Sequence, residues 1–104
     1  MMKNVKGNFR VWHIPQVGAD AIFRVHCNSL EEAYRIQSIL AVYDIFEYHN
    51  RIKPDFSNAS GIEIYDEEEQ EWCDYYNEDG LDPDELYEDD KEMQDWINKL
   101  MVEN

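Results

Sequence analysis

Residues 21–40, AIFRVHCNSLEEAYRIQSIL, change from a two-residue hydrophobic period to a helical one, and this change decides the fold. The alternation over 21–27 predicts a β-strand with one apolar face. Ser29 and Glu32 then form a capping-box pattern, which predicts that a helix begins here and continues to about Tyr43. The residues expected to face the core are Ala21, Phe23, Val25 and Cys27 on the strand, and Ala33, Ile36, Ile39, Leu40, Tyr43 and Phe46 on the helix.

Three more strands follow from the same kind of pattern. Residues 8–14 alternate and end at Pro15, and they are expected to pair with the strand over 21–27 as an antiparallel hairpin. Residues 61–65 and 71–76 predict two further strands, joined by a charged turn. The sequence therefore predicts a sheet of four strands.

A second helix is expected at the acidic end of the chain. Asp82, Pro83 and Glu85 supply an N-cap acid, a proline at the first helical position and an acid at the third. The apolar spacing carries this helix to Met101. The whole chain then predicts an α+β, two-layer fold: a four-stranded, mainly antiparallel sheet with one packed helix and an acidic C-terminal helix.

Charge is distributed unevenly along the chain. The net charge is −15 over 104 residues, yet residues 1–60 hold seven basic and six acidic side chains, while residues 61–104 hold two and eighteen. This asymmetry argues against direct binding to nucleic acid or to an anionic membrane, since both are polyanions. The length predicts a single domain over 1–104. We expect neither a signal peptide nor a membrane span, and we expect both cysteines to be reduced in the cytoplasm.

The residue types that carry catalysis or metal binding are not spaced for either. His13, His26 and His49 lie outside the spacings that zinc sites use, and Cys27 cannot pair with its neighbour His26, because adjacent strand residues face opposite sides. Residues 77–80 resemble part of a calcium loop, but the first and twelfth positions of that loop would be a tyrosine and a leucine. We therefore expect no enzyme activity, no cofactor and no metal site.

An acidic segment, residues 66–95, holds sixteen acidic side chains and one base, interleaved with aromatic residues. One interpretation is a solvated face that keeps the protein dissolved. The other is an ordered array that imitates a nucleic-acid backbone, because acids three or four residues apart on a helix lie about 5–6 Å apart. On that hypothesis the partner-binding residues are Asp66, Glu67, Glu68, Glu69, Glu71, Trp72, Asp74, Tyr75, Glu78, Asp79, Glu85, Glu88, Asp89 and Glu92, with Glu85, Asp89 and Glu92 as one regular row.

Several short motifs support a family resemblance. A strand ends in Ile14-Pro15, a helix ends in Tyr43-Asp44-Ile45-Phe46, and residues 52–61 read IKPDFSNASG before a tryptophan-bearing acidic stretch. Over about residues 9–85 the chain resembles a family of short, mostly uncharacterised acidic proteins of tailed bacteriophages and prophages. The resemblance supplies no catalytic residues. It implies a phage setting, in which small acidic proteins often inhibit host enzymes or defence systems such as CRISPR effectors and restriction enzymes.

These observations together predict a function by binding. We expect a phage inhibitor that binds a basic, nucleic-acid-binding host or defence protein by acidic mimicry of nucleic acid. Two alternatives stay open: a small-molecule module that sequesters a nucleotide signal, and a virion or assembly protein that forms a homodimer through the apolar stripe near Trp96. The expected location is the cytoplasm of the host cell, with neither nucleic acid nor a membrane as direct partner.

Overall fold

A four-stranded antiparallel sheet is the frame of the protein in the computed structural model, which describes residues 6–14, 21–50 and 59–104. The predicted α+β fold is confirmed, and so is the antiparallel pairing of the first two strands. Pro15 and most of the IKPDFSNASG motif at residues 52–61 lie outside the described residues. In the order β2-β1-β3-β4, the strands are β1 (Lys6–Ile14), β2 (Phe23–Ser29), β3 (Ala59–Asp66) and β4 (Glu71–Asp74).

The described residues form three helices, α1 (Leu30–His49), α2 (Pro83–Tyr87) and α3 (Lys91–Glu103). The predicted start of α1 is confirmed, since the Ser29 hydroxyl accepts a hydrogen bond from the Glu32 backbone N–H at 3.1 Å. The Glu32 carboxylate in turn accepts from the Asn28 N–H at 3.2 Å. The helix continues past the predicted end at Tyr43 to His49.

One hydrophobic core joins the sheet to all three helices. Because β1 alternates, Phe9, Val11 and His13 are buried on the face that the helices cover. Met93 of α3 is buried in the same cluster, so α1 and α3 share one layer on this face. The buried members of the cluster are Phe9, Val11, Cys27, Leu30, Ala33, Tyr34, Ile62, Leu86, Tyr87 and Met93.

The buried side of α1 differs from the predicted one. Ile39, Tyr43 and Phe46, which were expected in the core, are 45%, 53% and 37% exposed. Tyr34 is buried instead, with its ring stacked on that of Tyr87 at a centroid distance of 4.6 Å. The helices that follow β4 therefore determine which side of α1 faces the core. The hydrophobic pattern within α1 alone does not predict that side.

The inward face predicted for β2 is only partly correct. Cys27 is fully buried and Val25 is half-buried, but Phe23 is 53% exposed and Ala21 precedes the strand. Burial thus increases along β2 toward the start of α1. The first residues of this edge strand extend beyond the part of the sheet that α1 covers.

The predicted single acidic helix from Asp82 to Met101 is wrong, because α2 ends at Tyr87 and α3 begins only at Lys91. Asp90 starts the second of them: its backbone is extended, and its carboxylate accepts from the Met93 N–H at 3.0 Å. An acid with this geometry is an N-cap, which satisfies one of the free N–H groups of a new helix.

The fourth strand is shorter than predicted. It ends at Asp74, and Tyr75 then turns its ring toward Phe9 in the core, with a centroid distance of 5.4 Å at 64°. The next residues form a turn held by the Asn77 side chain, which accepts from the backbone N–H of Asp79 and of Leu81. This early end of β4 leaves part of β3 without a neighbouring strand on that side among the described residues.

Candidate functional site

The face of the sheet turned away from the helices carries a cluster of aromatic and charged residues. Phe9, Val11 and His13 face the core, so Arg10 and Trp12 face the other way. Residues directly opposite each other in an antiparallel register share a face, and this extends the set across all four strands. We call it the open face; its residues are Arg10, Trp12, Arg24, His26, Glu63, Tyr65, Trp72 and Asp74.

Arg10 lies at the centre of the open face. Its Nε is 2.6 Å from Glu63 Oε1 on β3, and its guanidinium lies over the ring of Trp72 on β4 at 4.3 Å from the centroid. Trp72 in turn meets Tyr65 edge-on, with 5.4 Å between ring centroids. A guanidinium over an indole contributes roughly 0.5–1 kcal/mol at an exposed site. The chain of contacts from Glu63 to Tyr65 therefore fixes the positions of these side chains before any partner binds.

Trp12 lies flat against the backbone of β3. A Cβ atom at Gly61 would lie 2.6 Å from Trp12 Nε1 and 2.7 Å from Cε2, so the indole occupies the space that any side chain at this position needs. The glycine at position 61 therefore makes room for Trp12, its partner across the strands.

Few of the predicted partner-binding acids come together. Asp66 ends β3, and its carboxylate accepts from the backbone N–H groups of Glu68 and Glu69, so it holds the β3–β4 turn. Glu85 accepts from the Asp82 N–H at 3.2 Å and completes the capping box of α2. The other acids are spread over distinct elements: Glu67 and Glu71 at the β3–β4 turn, Glu78 and Asp79 before α2, Glu88 and Asp89 between α2 and α3, and Glu92 in α3.

The expected row of Glu85, Asp89 and Glu92 does not lie on one helix, because the break between α2 and α3 separates its members. Tyr75, also expected at the contact surface, packs against Phe9 in the core, and burial raises the pKa of its hydroxyl. Trp72 and Asp74 do lie on the open face. The sequence prediction missed Arg10, Trp12, Glu63 and Tyr65 there. The sequence feature that could have indicated this face is a large aromatic, such as Trp12, on the solvent side of a predicted strand.

The three histidines lie in separate environments. His13 is buried with its Nε2 2.6 Å from Asp44 Oδ2, and His26 Nε2 lies 3.3 Å from Asn8 Oδ1 on the open face. His49 is near the end of α1, beside the ring of Tyr48. Within the described ranges, no three His, Cys, Asp or Glu side chains are grouped closely enough to hold a metal ion. None of the helices in the described part of the chain has the length and apolar character needed to cross a membrane.

Comparison with known proteins places the chain among bacteriophage proteins. The model of a family described as superinfection exclusion gene product 17 matches residues 8–101. A superinfection exclusion protein of Salmonella phage P22 is 42% identical over 80 residues, which cover 66% of this chain and 77% of that protein. No solved structure is significantly similar.

These matches confirm the expected phage setting and correct the predicted function. Both names refer to superinfection exclusion, so a nucleic-acid mimic that inhibits a defence protein, whether an anti-CRISPR or an inhibitor of restriction, is the wrong function. A nucleotide-sequestering module and a virion assembly protein do not agree with the matches either. The family match covers nearly the whole chain, including every strand and helix except the ends of β1 and α3. This protein belongs to the superinfection exclusion gene product 17 family.

Proposed function

We propose that this protein acts in superinfection exclusion as a binding protein without catalytic activity, and that the open face contacts its partner. The family and the phage P22 relative supply the process. The observation that supports the surface is the clamp of Arg10 between Glu63 and Trp72, which presents an arginine and aromatic rings in fixed positions. Arginine, tryptophan and tyrosine are the residues that most often dominate binding energy at protein interfaces.

Burial supports the same assignment. Trp12, Tyr65 and Trp72 are only half-buried, although the core on the other face of the sheet is filled with apolar side chains. Fully covering an aromatic of this kind stabilises a complex through its large apolar area, while its N–H or O–H group still reaches a polar partner. Three such residues on a face that no described helix covers can therefore stabilise a complex when a partner buries them.

The charge of the open face also suits contact with another protein. Arg10 and Arg24 lie on it together with Glu63 and Asp74, whereas the chain as a whole has a net charge of −15. A face with both signs avoids the repulsion that a wholly acidic surface would impose on most partners. We propose a protein of the host or of the incoming phage as the partner, met in the cytoplasm of the infected cell.

The experiment compares variants in a plating assay. Host cells that express the protein are challenged with a superinfecting phage, and the efficiency of plating is measured. We expect Trp72→Ala and Tyr65→Ala each to weaken exclusion strongly, because removal of a central aromatic costs about 2 kcal/mol or more of binding, which is about thirtyfold in affinity. Circular dichroism melting checks that each variant folds.

Tyr43→Ala is the matched control, since Tyr43 is an aromatic 53% exposed on α1, on the opposite layer. This variant should exclude phage as well as the unchanged protein. If Trp72→Ala and Tyr65→Ala fold and still exclude fully, the open face is not the contact surface. If Tyr43→Ala alone loses exclusion, the contact lies on α1.

A further inference from the structure

We propose that the outer edge of β3 at residues 59–61 binds an extended peptide with basic side chains, as an added strand. This edge is separate from the clamp on the open face. β3 pairs with β1 along residues 59–64, but β4 pairs only with residues 63–66. In the described structure, residues 59–61 thus have a strand on one side and none on the other.

The direction of the backbone groups follows from one hydrogen bond. The carbonyl of Ile62 accepts from the Tyr75 N–H at 3.1 Å, so the backbone N–H and C=O of Ile62 point toward the β4 side. In a strand these groups alternate from one side to the other with each residue. The N–H and C=O of Ser60 therefore point the same way as those of Ile62, past the end of β4, where a further strand would find them.

The Ser60 side chain does not compete for this edge. Its hydroxyl accepts from Gln37 Nε2 of α1 at 3.1 Å, on the core side of the sheet. An unpaired strand edge is a template for strand addition, in which main-chain hydrogen bonds supply affinity and alternate side chains supply specificity. The backbone of Ser60 offers one donor, its N–H, and one acceptor, its C=O, to such a strand.

A groove of about 220 Å³ runs along this edge. It is smaller than the roughly 300–1,000 Å³ of typical small-molecule sites, which argues against a drug-sized ligand. Tyr76, which is 59% exposed, stands at its side. Residues of both layers line it: Trp12, Gln37, Ser60, Gly61, Ile62, Asp74, Tyr75, Tyr76, Asp82, Pro83 and Asp84.

Charge identifies the chemistry of the peptide. Three of the described residues that line it are aspartates, Asp74, Asp82 and Asp84, and none of these described residues is a lysine or an arginine. Asp74 ends β4, and Asp82 and Asp84 lie at the start of α2, so carboxylates from two elements line the groove together with Ser60. A peptide with lysine or arginine at alternate positions matches them, whereas an acidic peptide is repelled.

The first measurement uses the whole protein and two synthetic peptides. Fluorescence anisotropy compares a labelled six-residue peptide of alternating threonine and lysine with its threonine–glutamate counterpart. We expect the lysine peptide to bind, and to bind at least about tenfold more tightly than the glutamate peptide, with an affinity that falls as salt rises. Equal binding of the two peptides, or no binding of the lysine peptide at millimolar concentration, overturns the proposal.

A second test separates strand addition from loose charge attraction. Ser60→Pro removes the outward N–H, and Ser60→Ala removes only the hydroxyl and keeps that N–H. Loss of a backbone hydrogen bond that leaves a partner unsatisfied corresponds to about tenfold in affinity. We expect this loss for Ser60→Pro relative to Ser60→Ala. Equal affinity of the two folded variants overturns the proposal.

A third measurement does not depend on how the variants fold. Amide hydrogen exchange of the unchanged protein should show slower exchange at Ser60 when the lysine peptide is bound, and the same exchange rate at Asp79 in the exposed turn. Unaltered exchange at Ser60 under saturating peptide contradicts strand addition. A self-associated dimer that Ser60→Pro disrupts would instead assign this edge to a second copy of the chain, and would also overturn the proposal.

Discussion

His13 Nε2 and Asp44 Oδ2 lie 2.6 Å apart inside the core, with their side chains only 6% and 1% exposed. The pair connects the end of β1 to the second half of α1. Among the described residues, the Asp44 carboxylate is the polar group that the buried His13 ring contacts, and neither ring nitrogen has an aligned hydrogen bond to another group. Asp44 belongs to the Tyr-Asp-x-Phe motif of the sequence, and its burial gives that motif a structural role.

Removal of one member of this pair should be costly. We expect Asp44→Asn to lower the free energy of unfolding by about 1–3 kcal/mol, because it removes the carboxylate partner of a buried imidazole. This is a substantial part of the roughly 5–15 kcal/mol available to a typical domain. Urea denaturation measures it.

The double variant His13→Leu with Asp44→Leu provides the control. Replacing both members by apolar residues removes the unpaired group, so the loss should be smaller than the sum of the two single losses. Strict additivity in this cycle, or a loss below about 1 kcal/mol for Asp44→Asn, would show that the contact does not contribute to stability.

The elements predicted correctly have local signals of their own. β1 and β2 alternate, and Ser29 with Glu32 caps α1 through contacts within four residues. The break between α2 and α3 has no glycine or proline to mark it. It depends on the local cap at Asp90, which is one of sixteen acids in residues 66–95, and on the burial of Tyr87 and Met93 in the common core, which is a tertiary effect.

Asp90 and Asp89 give a matched test of that break. We expect Asp90→Ala to cost about 1 kcal/mol of stability, since it removes the N-cap of α3. Asp89→Ala removes the same charge from an exposed neighbour and should stay within about 0.5 kcal/mol. Thermal denaturation compares the two variants. Equal effects would support a continuous helix across these residues.

The candidate site was harder to predict than the fold, because acidic residues dominate the sequence of residues 66–95. Trp72 and Asp74 lay within the predicted set, yet the arginine over Trp72 comes from β1, which is sixty-two positions earlier in the chain. Only the register of β1, β3 and β4 brings Arg10 to Glu63 and Trp72. A count of charges along the sequence cannot predict that strand register.

Gly61 and Trp12 supply a test of the open face itself. We expect Gly61→Ala to displace the Trp12 indole, because the new methyl group would lie 2.6 Å from Trp12 Nε1. Overpacking of this kind typically costs about 1–3 kcal/mol. The displacement should change the tryptophan fluorescence spectrum, and denaturation measures the cost.

Gly80→Ala is the control for that change. Gly80 has a φ of +77°, and no atom lies within 4 Å of the position that an alanine methyl group would take, so this substitution strains the backbone but meets no side chain. It should lower stability by about 1 kcal/mol without altering the fluorescence of the folded protein. A spectral change of the same size in both variants would mean that Gly61 does not act through Trp12.

Tyr34 and Tyr87 make the stability of the fold sensitive to alkaline pH. Burial, together with the neighbouring carboxylate of Asp84, which accepts a hydrogen bond from the Tyr34 hydroxyl, raises the pKa of Tyr34 to about 12. Burial also raises the pKa of Tyr87 to about 12, with Glu31 and Asp90 nearby. The hydroxyl groups of both tyrosines stay protonated while their rings are stacked in the folded protein.

The direction of the pH effect follows from these values. An unfolded tyrosine titrates near its ordinary pKa of about 10, so above pH 10 the unfolded chain loses protons that the folded protein keeps. Stability should therefore be independent of these groups below about pH 9 and should fall between pH 10 and 12. A pKa difference of about 2 corresponds to about 2–3 kcal/mol for each tyrosine. Chemical denaturation at a series of pH values from 8 to 12 measures the loss.

Tyr34→Phe separates this effect from general alkaline damage. The variant keeps the ring stack and has no hydroxyl to ionise, so it should be about 1 kcal/mol less stable at pH 8 but should lose less stability between pH 10 and 12. Tyr43→Phe changes an exposed ring and should leave the pH dependence unaltered. If Tyr34→Phe loses stability as steeply as the unchanged protein, ionisation of Tyr34 does not drive its alkaline unfolding.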